Sequence, residues 1–187
     1  FWSFSYHLCL CSGGCVADCM YKMDLSGISV LITTSYLSGI ALGYQCFPYL
    51  RRFYMVYALC VTVVLAGPLI RPGLVSNMTR HFIFCCAVGL VPAVHFVCVA
   101  SRNDVELVIP HLVLMFGCYG AGAAFFLTRL PERRWPGRFD FFGHSHQIWH
   151  IFVVLAALSW VRGCRDCLYH FTAVHCEEMA LAVAEVG

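Results

Sequence analysis

His146 and His150 stand four residues apart in the run Gly143-His-Ser-His-Gln-Ile-Trp-His-Ile-Phe-Val-Val-Leu-Ala-Ala-Leu158. On a helix that spacing puts both imidazoles on one face, one turn apart. The run is apolar enough to cross a bilayer. Ionisable groups are costly at membrane depth, so they face a partner, a cavity or a metal. Two neutral imidazoles are half of a zinc site, and a catalytic zinc has three protein ligands with a fourth position left open. A third nitrogen must come from another segment at the same depth. His7, His81, His95 and His111 lie within apolar segments and are the candidates.

The elements that must position these groups are membrane helices. Of the 187 residues 60% are hydrophobic and 12% charged, with mean hydropathy +0.76. Soluble domains are about 25% charged. A net charge of +2, with no basic stripe, excludes nucleic acid as a partner. Many of the 13 cysteines sit in apolar runs, where Cys acts as a small hydrophobe. Cys164-x-x-Cys167 has no second such pair to complete a zinc site and is read as ordinary thiols. The chain starts at Phe1 inside an apolar stretch with no signal peptide, and it reads as a fragment lacking its natural N-terminus.

A spanning helix needs about 20 apolar residues. Six segments qualify: a partial one over 1–17, then 24–45, 51–70, 81–100 with Pro92, 105–128, and 141–161. Small residues from Gly117 to Ala124 would let the fifth segment pack closely. Lys22, Arg71, Arg80, Arg129, Arg133, Arg134 and Arg138 share one side of the membrane. Arg51, Arg52, Arg102, Arg162 and Arg165 share the other. The excess favours the first set as cytoplasmic. The glycosylation pattern at Asn77 then falls on the cytoplasmic side and is expected to be unused.

Depth narrows the third ligand. His146 and His150 lie one to two turns inside the cytoplasmic end of their segment, and Asp24 opens its segment at that same face. His7 and His81 are at comparable depth, His95 is further in, and His111 is near the opposite face. Asp24 also reads as a helix N-cap, and Asp140 as a cap for the sixth segment. His95 is expected to bond a carbonyl freed by Pro92, and His144 to turn away from the metal face. His170, His175, Cys176, Glu177 and Glu178 are expected to be solvated.

Ser3-Phe-Ser-Tyr-His7, Met23-Asp24-Leu-Ser-Gly-Ile28, Val91-Pro-Ala-Val-His95, Leu130-Pro-Glu-Arg-Arg-Trp-Pro-Gly-Arg138 and Ser145-His-Gln-Ile-Trp-His150 follow in this order. Together they resemble the progestin and adipoQ receptor family, which includes the haemolysin III-like proteins. The resemblance covers about residues 1–161 and is nearest the adiponectin receptor branch. It implies an all-α transmembrane helix bundle with a cytoplasmic N-terminus. Six helices of a seven-helix fold are present, the first being absent. Residues 1–161 form the receptor domain and 162–187 a non-cytoplasmic tail. The resemblance implies Zn2+ held by His7, His146 and His150. It places Asp24 where a carboxylate holds or activates the water at the metal, and Ser3 where a hydroxyl supports the ligands.

Such a site would hydrolyse an amide or ester, and between helices it would receive a lipid such as ceramide. The resemblance adds receptor signalling, with an adiponectin-like protein or a steroid as ligand and the plasma membrane ahead of Golgi or endoplasmic reticulum. Two alternatives stand beside this reading. One is a receptor or scaffold whose zinc is purely structural. The other is a haemolysin-like pore, although a pore needs a continuous polar stripe and the polar groups here collect near one face.

Overall fold

The computed structural model describes residues 14–71, 73–139 and 142–170. They form six helices: α1 (Gly14–Gly43), α2 (Pro48–Ile70), α3 (Met78–Val88), α4 (Leu90–Val99), α5 (Arg102–Thr128) and α6 (Ser145–His170). Asp18–Gly43, Pro48–Ile70, Met78–Val99 and Arg102–Thr128 are each long and apolar enough to cross a membrane. The protein is an all-α, multi-pass membrane protein. Its helices fall into two compact units, Phe1–Val99 and Ala100–Gly187.

In the first unit, α1 starts at Gly14, well before Asp24. No Gly or Pro lies between Cys15 and Ser26, so nothing interrupts the helix there. Residues 14–17 belong to α1, with no break before a second segment. Asp24 therefore lies inside a helix and is not its N-cap. The hydroxyls of α1 are spent on its own carbonyls, as lipid requires. Ser26 donates to Met23 (2.7 Å), Thr34 to Val30 (2.8 Å) and Ser35 to Leu31 (2.8 Å). Thr33 and Thr62 hydroxyls meet at 3.2 Å, joining α1 to α2. Ile32, Val61, Leu65, Phe82 and Cys85 form the core beside them.

The expected fourth segment is broken at Gly89 into α3 and α4. Pro92 has no N–H to offer the Val88 carbonyl, and the Tyr57 hydroxyl donates to that oxygen at 2.9 Å. The Tyr44 hydroxyl donates to the Pro92 carbonyl at 2.6 Å. Tyr36 donates to the Cys85 carbonyl, its ring lying where a Cβ on residue 89 would stand. His95 does not take the freed carbonyl; its Nδ1 shares a hydrogen bond with the Tyr54 hydroxyl at 2.7 Å. A hydroxyl on a long aromatic arm reaches across helices, and the tyrosines fill the role expected of His95. Asn77 caps α3, its side chain accepting from the Arg80 N–H at 3.0 Å.

In the second unit, α5 and α6 pair antiparallel. Asp104 meets His170 (2.8 Å) and His111 meets Asp166 (3.3 Å) at one end, while Phe126 meets His146 at the other. The inward face of α6 carries Ser145, Ala156, Ser159, Gly163 and Cys167, all buried. Ile151, Val154, Leu155, Leu158 and Val161 are exposed and recur at helical spacing. Small residues inward and large apolar ones outward is the pattern of a lipid-facing helix. The helix runs past Val161 to His170, held by its two carboxylate–imidazole pairs. His170 is thus half-buried against Asp104, which is only 1% exposed, and is not solvated as expected. Cys164 and Cys167 are not joined to each other by a disulfide.

Two glycines set the approach of the pair. A Cβ on Gly122 would stand 2.8 Å from Phe152 Cβ and 3.0 Å from Trp149 Cε3. One on Gly163 would stand 2.7 Å from His111 Cβ. These atoms sit at the root of their side chains or on a held ring, so relief requires the helices to part. Gly117 and Gly120 face open space. Gly122→Ala and Gly163→Ala are expected to cost about 1–3 kcal/mol each. Gly117→Ala and Gly120→Ala should be neutral or stabilising by up to about 1 kcal/mol. Unfolding in detergent of the four variants beside wild type measures this, and equal effects at all four positions would refute the packing assignment.

Candidate metal centre

His146 and His150 occupy the first two turns of α6. Their Nε2 atoms are 3.1 Å apart, with ring centroids at 4.7 Å and planes crossed at 81°. Two zinc–nitrogen bonds of about 2.05 Å at a tetrahedral angle place the nitrogens about 3.3 Å apart. The rings share a hydrogen bond at that distance, and the nitrogen separation is also close to the spacing one tetrahedral ion requires. Both side chains are half-buried. Phe126 packs on His146 at 5.5 Å and on Trp149 at 6.2 Å, covering one side of the His146 ring.

His144 precedes the first residue of α6, so helical periodicity does not dictate its direction. Its ring stacks beside His146, centroids 6.4 Å apart, where the offset of two predicts it to turn away. The start of α6 is built by the preceding loop. Gln147 reaches back past the N-cap position to accept the Gly143 N–H at 2.7 Å, tying the loop to the first turn. Gly143 has φ 78°, a conformation that favours glycine.

Glu132 completes this start. One carboxylate oxygen accepts the Ser145 backbone N–H at 2.8 Å, and the other accepts the Ser145 hydroxyl. Desolvation pushes the Glu132 carboxyl up, but the Ser145 hydrogen bonds and neighbouring His144 outweigh it and leave it below its ordinary value of 4.5. Asp140, the expected cap, lies outside the described residues.

Of the expected site residues, Ser3 and His7 lie outside the described residues, as do His175, Cys176, Glu177 and Glu178. Asp24 is half-buried on α1. His95 is engaged by Tyr54. His111 pairs with Asp166 at the end of α5 remote from His146, about 22 Å along the helix from Phe126 at 1.5 Å per residue. His81 has a buried Nε2 without a hydrogen-bond partner. Among the described residues no three His, Cys, Asp or Glu side chains converge on one point, so they contribute a two-nitrogen clamp.

A pair of imidazoles on the first turns of a membrane helix, held by an upstream loop, defines a class of multi-pass helical membrane protein. The sequence pattern of the family described as haemolysin-III related matches residues 1–161, and the chain belongs to that family. It is 31% identical over 159 residues to heptahelical transmembrane protein 3 of Arabidopsis thaliana, covering 82% of this chain and 46% of the relative. It is 36% identical over 164 residues to heptahelical transmembrane protein 1 of the same plant, covering 82% and 48%. With progestin and adipoQ receptor family member 3 of Homo sapiens it shares 29% over 146 residues, covering 74% and 47%. The chain thus spans less than half the length of these relatives.

The lowered Glu132 carboxyl has a consequence for acid stability. A carboxylate lowered in the folded state stabilises fully above its unfolded value, and the contribution is lost as pH falls through the lowered one. Wild type should therefore exceed Glu132→Gln in thermal midpoint at neutral pH, with the gap closing only below the ordinary value of 4.5. A gap independent of pH would show that the carboxylate charge contributes nothing.

Proposed function

We propose that this chain is the zinc-holding part of an adiponectin-receptor-like signalling receptor with lipid amide hydrolase activity of ceramidase type. The observation that carries the reading is the His146–His150 clamp, whose 3.1 Å nitrogen separation suits one tetrahedral Zn2+. His7 is the proposed third ligand and Ser3 a hydroxyl that supports the ligand set. The names of the relatives, heptahelical and progestin and adipoQ receptor proteins, support the receptor part. The plasma membrane is the proposed location, and an adiponectin-like protein or a steroid the proposed ligand.

Zinc, when bound, supplies Lewis acidity that brings water toward a pKa of about 7 and polarises a carbonyl. The chain's own residues supply the rest. The two imidazoles would supply ring-nitrogen lone pairs to the ion. Asp24 is the proposed acceptor of the proton from attacking water. A ceramide-like amide, entering from the lipid, is the proposed substrate.

The test is metal analysis of the purified chain together with ceramide hydrolysis. Wild type should carry zinc, and His7→Ala, His146→Ala and His150→Ala should each lose most of it. Asp24→Ala should keep zinc while hydrolysis falls by about 10²-fold or more. Zinc retained in all three histidine variants would sink the site. A zinc-loaded but inactive wild type would leave a receptor whose metal only ties helices together.

A further inference from the structure

We propose that Glu132 is a positioning residue for the metal pair, setting the first turn of α6 and with it the direction of His146. This rests on the reading that His146 and His150 hold Zn2+.

The first N–H groups of a helix have no partner within it, and first turns fray unless something outside holds them. His146 stands in that turn, one residue after Ser145. His150 stands a turn further in, where the helix ladder already fixes the backbone. The two halves of the clamp therefore depend on different supports. Ser145 is buried at 4% exposure, and both its donors go to the two oxygens of one carboxylate. Two bonds from one residue to one planar acceptor fix rotation about the helix axis as well as position along it. Unwinding of the first turn would release His146 from its place one turn before His150 and break their 3.1 Å register.

Glu132 is itself anchored. It lies on a tight turn in which the Arg133 N–H bonds the Arg129 carbonyl (2.8 Å) and the Arg134 N–H bonds the Pro131 carbonyl (2.9 Å). The Leu130 N–H bonds the Phe125 carbonyl at 3.3 Å, tying that turn to the end of α5. The hydrogen bonds of this turn and its covalent backbone thus tie Glu132, and through it Ser145, to the end of α5. Phe126, on the same end of α5, packs against His146. The helix carrying the clamp and the helix walling it are held in one frame.

The experiment is competition of Zn2+ between the purified full chain and a chelator, with helix content and thermal midpoint recorded metal-free. Glu132→Ala should weaken Zn2+ affinity about 10–100-fold, the range for residues supporting ligands. The metal-free helix content should stay near that of wild type. Ser145→Ala, which keeps the backbone bond and loses the hydroxyl, should weaken affinity by a smaller factor. Glu132→Gln should recover part of the loss. Adding Glu132→Ala to His146→Ala should cost little more, because both act through one ligand, whereas adding it to His150→Ala should still weaken binding. Wild-type affinity in both Glu132→Ala and Ser145→Ala overturns the proposal while leaving the metal site standing. Equal losses in the two histidine backgrounds also overturn it. No zinc in wild type overturns the metal reading itself.

Discussion

The second unit depends on the backbone contact between α5 and α6 at Gly122 and Gly163. Lipid tails are as apolar as the side chains they replace, so helices in a membrane gain little from burial as such. They gain from close packing, where each extra atom pair adds a small attraction, and from hydrogen bonds unavailable in hydrocarbon. The missing side chains at Gly122 and Gly163 let Phe152, Trp149 and His111 lie directly on the opposing backbone. With both glycines facing the partner, the rotation of each helix is set. The direction of His150, inside the helix ladder, follows from that rotation, and His146 shares it where the first turn is held.

The polar groups of this pair are divided by the same contact. Asp104–His170 and His111–Asp166 lock one end, and Glu132–Ser145 locks the other. A carboxylate as buried as Asp104 is expensive unless paired, and pairing with a residue on the last turn of α6 makes that cost a constraint on where the helix ends. That is why α6 continues past Val161 although its apolar run has finished. The fixed distal end and the anchored first turn leave α6 little freedom to slide, so the His146 and His150 imidazoles are held in place by the fold.

The sequence made the helices and the imidazole pair legible because both rest on short-range rules: apolar length for a span, and a spacing of four for one face. It made the close-packing run legible too, but only as Gly117 to Ala124; which glycine touches the partner depends on helix rotation, a property of two chains of residues at once. The start of α1 was misread because Asp24 looks like a cap, and a cap is visible only against the residues before it. Glu132 and Ser145 are separated by 13 positions, and no periodicity links a loop carboxylate to a distant helix start. Tyr57 and Val88, and Asp104 and His170, were hidden for the same reason. Each is a pairing across elements, while His95 and His170 taken alone suggested only a local bond and a solvated tail.

The distribution of polarity along α5 and α6 also bears on transport. Between the carboxylate–imidazole pairs and the His146–His150 pair, the inward positions include Met115, Gly122, Ala156, the ring of Phe152 and Ser159, whose hydroxyl donates to the His111 carbonyl at 3.5 Å. Ionisable groups thus sit at both ends with a closely packed, mostly apolar stretch between them, whose Ser159 hydroxyl is spent on a backbone carbonyl. An ion moving along this helix pair would meet aromatic and aliphatic carbon where a pore needs oxygen or water. The arrangement suits a site that works at one depth and a structural lock that works at another. It joins them mechanically through the length of α6.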